Sequence, residues 1–210
     1  MKIIVIGANG KTGSLVVQQA LDKGFRVTAY IRRPGTLAID HQNLKIVVGE
    51  LNEIFKLKNA LEGADACIST LGGTSLKEHS TEIIEGIDNI VMLMEELNIP
   101  RFIYLSSIGV GESRKMMPFL IRFFITKLLF QIPFADHLEN EQRIMNSNIE
   151  WTIVRPGSLT EGNLTKKFRI GSDLIRLKGN LSISRANVAW FIVNELIVKN
   201  YTHTAVWLTD

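Results

Sequence analysis

Cysteine is nearly absent: Cys67 stands alone among 210 residues. One thiol excludes an internal disulfide and any cysteine-based cluster, and it fits a reducing, intracellular compartment. Mid-strand in an apolar run, it reads as a buried, inert group rather than a nucleophile. The histidines at 41, 79, 137 and 203 show no metal-ligand spacing, so no metal site is expected. A long apolar run is missing too. The stretch from Met116 to Ala135 carries Arg122 and Lys127 and is broken by Pro118 and Pro133, whereas a membrane span needs ~20 mainly apolar residues. Nor is there a strong excess of one charge. A net charge of +3 with basic residues unclustered with aromatics gives no nucleic-acid platform. No Ser-His-Asp order is supported. A strand beginning at residue 2 leaves no room for a signal peptide, so a cytoplasmic protein is expected.

What is present is concentrated at the start. Lys2 to Ile6 is a short β-branched run that reads as a buried strand. Gly7-Ala8-Asn9-Gly10-Lys11-Thr12-Gly13 follows, then a helix from Ser14 to Lys23 stopped by Gly24. A second strand from Phe25 to Ile31 ends in Arg32-Arg33. Strand, glycine-rich turn, helix, strand is the unit that holds a dinucleotide pyrophosphate on a helix N-terminus.

The rest continues in alternation. Strands are expected at 44–48, 65–71, 101–107, 150–154 and 204–209. Helices are expected at 53–61, 81–97, 113–130, 135–146 and 185–198. A hairpin is expected around Gly171. The order predicts an α/β fold: a single Rossmann-type domain over 1–210, with a doubly wound, mainly parallel sheet flanked by helices on both faces. In such a sheet ligands bind at the carboxyl ends of the strands. Gly7, Arg32, Gly72, Ser107 and Arg155 all fall at such ends.

The glycines at 7, 10 and 13 have separate jobs: a tight turn, close backbone approach to phosphate, and close helix-to-strand packing. Arg32 and Arg33 stand where a site preferring NAD has an acidic residue, ~20 residues beyond the glycines. A carboxylate there would repel a 2′-phosphate, while a guanidinium offers planar donors and a permanent charge. NADP(H) is therefore the expected cofactor. Two solvated arginines before Pro34 are the plain alternative.

The segments GANGKTG, YIRR, GELNE, ISTLGG, YLSSIGVG and WTIVRPGSL resemble the atypical short-chain dehydrogenase/reductases. They are most similar to the biliverdin-IXβ reductase and flavin reductase group, with the NmrA-like proteins as neighbours. The resemblance runs from Met1 to about Val198. It implies that Gly7, Asn9, Gly10, Lys11, Thr12 and Gly13 surround the pyrophosphate and that Arg32 meets the 2′-phosphate. Glu50, where the family usually has Asp, and Leu51 would lie beside the adenine. Leu71 and Gly72 would flank the nicotinamide half, Arg155-Pro156-Gly157 would border it, and Ser107 would stand at the reaction centre.

The chain departs from the family in its acid. Short-chain dehydrogenases usually carry Tyr-x-x-x-Lys, whose tyrosine passes a proton to a carbonyl. Counting back from Arg155-Pro156-Gly157 puts Pro133 at the tyrosine and His137 at the lysine, and no Tyr-x-x-x-Lys occurs anywhere. Two readings follow. In one, the protein delivers a hydride from NADPH to a flavin, quinone or other conjugated acceptor; Ser107 holds the carboxamide or acceptor, and His137 binds the acceptor or relays a proton from water. Against these roles stand a strand-end serine bonded to backbone and a structural or solvent-facing histidine. In the other reading, the protein binds NADP(H) without turnover and signals to a protein partner. Substrate-shaping segments are expected around 110–135 and 158–184. The Met- and Phe-rich stretch with Phe119, Phe123 and Phe130 would be either a flat pocket for aromatic acceptors or a packed helix or dimer contact. Oligomeric state is left open.

Overall fold

The computed structural model describes residues 1–72, 75–117, 130–175 and 181–210. Its centre is a sheet of eight strands in the order β3-β2-β1-β4-β5-β6-β10-β8. These are β1 (Lys2–Ile6), β2 (Arg26–Ile31), β3 (Leu44–Val48), β4 (Ala66–Ser69), β5 (Arg101–Leu105), β6 (Glu150–Pro156), β8 (Arg169–Gly171) and β10 (Thr204–Thr209). All neighbouring pairs are parallel except β10 with β8. Order reverses between β1 and β4, which opens a crevice at their carboxyl ends.

Helices cover both faces: α1 (Lys11–Asp22), α2 (Ile54–Leu61), α3 (Thr81–Glu96), α4 (Gln131–Met145) and α5 (Arg185–Val198). Strand alternation sorts the core into two layers. Ile3, Val5, Ala29, Ile103 and Val154 pack with α1 and α5. Ile4, Ile6, Cys67, Phe102, Tyr104 and Ile153 pack with α2, α3 and α4. Each fully buried aliphatic contributes about 1.5–3 kcal/mol, so strands buried on both sides hold the crevice rigidly from below.

Several expectations need correcting. Gly171 does not turn a hairpin: β8 ends there and pairs antiparallel with β10, Trp207 lying opposite Gly171. A Cβ at Gly171 would come within 2.6 Å of the Trp207 ring, so the glycine serves close packing. A second, two-stranded sheet pairs β7 (Ser158–Thr160) with β9 (Ser182–Ser184) in parallel. Where the helix expected over 113–130 was to begin, the chain forms a 3₁₀ turn over Gly111–Met116, held by the Ser113 hydroxyl, which donates to Val110 O and accepts from Gly109 N; residues 118–129 of that expectation lie outside the described residues. Phe119 and Phe123 lie outside the described residues. Phe130, at the end of that stretch, stacks on Phe134 at 5.9 Å. Helix α4 starts four residues earlier than the expected Ala135, because Pro133 sits in its first turn, where its missing N–H has no intrahelical acceptor to lose.

Candidate functional site

Helix α1 begins at Lys11, three residues ahead of the expected Ser14, with Gly10 as its N-cap. Lys11, Thr12 and Gly13 therefore form its first turn. Their N–H groups have no carbonyl one turn back within the helix to bond to. Gly7 adopts φ +76°, a left-handed conformation that costs a side chain dearly. Gly7 O then accepts from Gly10 N at 2.9 Å. A Cβ on Gly13 would lie 2.3 Å from Gly7 O and 2.7 Å from Thr70 Oγ1. The turn folds flat against the end of β1 because a side chain at Gly7 or Gly13 would be strained or crowded there. No acidic residue stands in the first turn of α1, so the positive end of its dipole is uncompensated there.

Thr70 was not foreseen. Its hydroxyl lies 3.1 Å from both Ile6 O and Gly7 O, bracing the turn from β4. Leu71 packs beside Gly7 and Gly72 stands exposed next to it. Across the crevice Asn9 Nδ2 donates to Thr36 Oγ1 at 3.0 Å, and Thr36 in turn donates to Arg33 O. The glycine turn and the loop after β2 are tied together.

At the end of β2, Arg32 and Arg33 are exposed. Arg32 makes a long contact of 3.5 Å with Glu82 on α3, both half or more exposed, a pairing worth little in water. Lys11 meets Glu161 at 2.9 Å, and Glu161 also takes Arg185 at 3.0 Å. Glu50 and Leu51 follow β3. Tyr30 Oη donates to Glu50 O, Glu50 N donates to Glu53 Oε2, and Leu51 packs on Gly86 of α3. The Glu50 side chain is exposed. Positions 7, 9–13, 32, 33, 50, 51, 71 and 72 therefore line the carboxyl ends of β3, β2, β1 and β4 as one rim.

The rim continues across β5 and β6. Ser107 is half-buried, its Oγ 3.2 Å from Ile108 O, and Ile108 N donates to Pro156 O at 2.9 Å. Loop 107–111 rests on α4: a Cβ on Gly109 would lie 2.8 Å from the Phe134 ring. Arg155 is not available to a ligand. It is buried, with Nε and Nη2 donating to both oxygens of Glu141 at 3.0 and 2.6 Å and Nη1 donating to Glu112 at 2.6 Å. Its burial works against the charge, but the Glu141 and Glu112 carboxylates outweigh that and hold its pKa above the usual value.

His137 lies on α4, and its Nδ1 is 2.7 Å from the hydroxyl of Tyr104, three residues before Ser107 on the adjoining strand. Asn140 Nδ2 donates to the same hydroxyl at 3.1 Å. Burial pushes the His137 pKa down to about 4, partly opposed by the Asp136 carboxylate, so the ring is neutral at physiological pH. Burial also raises the Tyr104 pKa, with Asn140 pulling the other way. Asp136 itself accepts from Ser80 N at 2.8 Å and pairs with His79 at 2.5 Å, tying α4 to the start of α3. Strand alternation alone places Tyr104 on the α4 face; its partner there has no sequence signature. Among the described residues no group of three or more His, Cys, Asp or Glu could hold a metal ion. No described helix is long and apolar enough to cross a membrane.

The family model for NAD(P)H-binding proteins matches residues 7–197. Among curated proteins, UPF0659 protein YMR090W of Saccharomyces cerevisiae is 28% identical over 96% of this chain and 89% of its own length. Two solved structures share the fold over all of this chain. A short-chain dehydrogenase/reductase from Veillonella parvula, in complex with NADP, superposes with a TM-score of 0.85 over 94% of its length at 18% identity. The anaerobillin reductase ChuY from Escherichia coli O157:H7 does so with a TM-score of 0.82 over 97% of its length at 21% identity.

Proposed function

This chain belongs to the NAD(P)H-binding family, and we propose that it is an NADPH-dependent oxidoreductase passing a hydride to a flavin, quinone or other planar conjugated acceptor. The observation that carries the cofactor is the pairing of an open α1 N-terminus with two exposed guanidinium groups at the end of the neighbouring strand. A pyrophosphate on the helix end and a 2′-phosphate on Arg32 satisfy both. Gly7, Asn9, Gly10, Lys11, Thr12 and Gly13 would hold the diphosphate, with Arg33 adding charge beside Arg32. Glu50 and Leu51 would border the adenine, and Leu71, Gly72 and Pro156 the nicotinamide.

The acceptor class follows from what the crevice offers. The cofactor supplies the hydride when bound; the protein supplies stacking, orientation and exclusion of water. Its polar groups toward β5 and β6 would be Ser107 and His137, the latter a neutral imidazole of depressed pKa. Neither is an acid strong enough to protonate a simple ketone, which suits an acceptor whose conjugated system takes up the hydride charge itself. A carboxamide or acceptor oxygen on Ser107 would displace only a weak local contact to Ile108 O.

A non-catalytic NADP(H) sensor is the second reading, favoured by the absence of Tyr-x-x-x-Lys. Purified protein incubated with NADPH and FMN, a quinone or biliverdin separates the two. The reductase reading expects loss of absorbance at 340 nm with at least one of them. Tight NADPH binding without loss from any acceptor would favour a sensor or an NADP-binding assembly protein.

A further inference from the structure

Tyr104 and Asn140 are buried side chains that meet beside the His137 imidazole, at the Tyr104 hydroxyl. Tyr104 is fully buried and Asn140 is 1% exposed. A hydrogen-bond account of this trio fixes its direction. The Tyr104 oxygen accepts from Asn140 Nδ2 at 3.1 Å, so its own proton needs an acceptor. The group in reach is His137 Nδ1 at 2.7 Å. If Nδ1 carried a proton instead, the phenol would receive two donors and its O–H would be buried with nothing to meet, which is costly. Turning the Asn140 amide over would satisfy its Oδ1, which has no partner among the described residues, but would leave both its N–H groups without an acceptor. Orphaned buried donors are the rarer case.

We propose that Tyr104 is a positioning residue: it donates to Nδ1 of His137, holds the ring in the Nε2–H tautomer, and so aims a neutral N–H at the acceptor side of the rim. The inference rests on the reductase reading for its use, though not for its chemistry. Nε2 has no protein partner among the described residues, and His137 is partly exposed. The charged groups facing the pair are Asp136 and Glu141, each felt as a carboxylate by Tyr104; neither displaces the Tyr104 contact. A neutral imidazole N–H is a hydrogen-bond donor and a very weak acid. His137 would therefore orient the acceptor and stabilise charge growing on its heteroatom as the hydride arrives, while the proton that completes the reduction comes from water.

Long-range proton–nitrogen NMR of protein labelled at histidine nitrogen tests this without any acceptor, with the His137 signals identified by their loss in His137→Gln. The expected result at neutral pH is a bare Nδ1 and a protonated Nε2 in the wild type, with mixed tautomers in Tyr104→Phe. A protonated Nδ1 in the wild type overturns the proposal, and so does an unchanged tautomer in the variant. Should Tyr104→Phe fail to fold, the wild-type spectrum still decides. With an active acceptor, Tyr104→Phe should lower kcat by about tenfold or more, leave KM for NADPH unchanged, and keep the rate flat across neutral pH; an unchanged kcat overturns the positioning role. If no acceptor is turned over, the reductase reading fails while the tautomer measurement stands by itself.

Discussion

At the residue scale, the proposed site turns on one charge and one ring. Arg32 owes its expected role to position: β2 ends there, its side chain is exposed, and Glu82 engages it only at 3.5 Å. Arg32→Asp should raise KM for NADPH far more than KM for NADH; equal rises would remove the 2′-phosphate assignment. His137 gives a pH signature. Its pKa in the fold lies near 4 against an ordinary value of about 6.5. As pH falls between those values the unfolded chain takes up a proton that the folded ring refuses, so stability is lost through that window and not above it. The loss reaches at most about 3 kcal/mol. Urea unfolding of His137→Gln should show a shallower decline from pH 6.5 to 4 than the wild type, and parallel curves would contradict the burial account.

At the scale of elements, the glycine turn carries the argument. Gly13→Ala would push a methyl to 2.3 Å from a backbone oxygen, so the turn must move and with it the N–H groups of α1. We expect a loss of about 1–3 kcal/mol in stability together with weakened NADPH binding. Gly72→Ala has nothing within 4 Å of the added methyl and should leave stability unchanged; a calorimetric melt of both variants checks the contrast. The first strand and the glycine turn were legible in the sequence because each needs particular residue types at a particular spacing, and the same reading put Arg32 just past the end of β2. The start of α1 was misread by three residues since a glycine N-cap offers no side-chain signal. The pairing of β8 with β10 was hidden for a different reason. It joins residues 36 to 40 apart, and nothing local in Arg169–Gly171 names a partner.

At the scale of the whole molecule, two buried ion pairs link the far strands to the helices over them. Arg155 joins β6 to Glu141 on α4. Arg101 of β5 meets Glu195 of α5 at 3.3 Å, both at most 2% exposed. Glu195 also accepts from Tyr201 N at 2.7 Å, closing the turn into β10. Removing one partner strands a buried charge, so Glu195→Ala should cost about 3–5 kcal/mol in chemical unfolding with little direct effect on cofactor affinity. Arg155 shows why site reading from sequence has a limit: its place at a strand end pointed to ligand, while only the three-dimensional neighbour Glu141 shows that it holds the sheet to α4.

The central claim is that the rim formed by Gly7 to Gly13 with Arg32 is a site for NADPH. Calorimetric titration of the wild-type protein with NADPH and with NADH tests it most directly. The account predicts NADPH bound tighter by about tenfold or more, the value of one charge-assisted contact of ~1.4 kcal/mol or above, with the preference falling away in raised salt. Equal affinities, or tighter NADH, would contradict it.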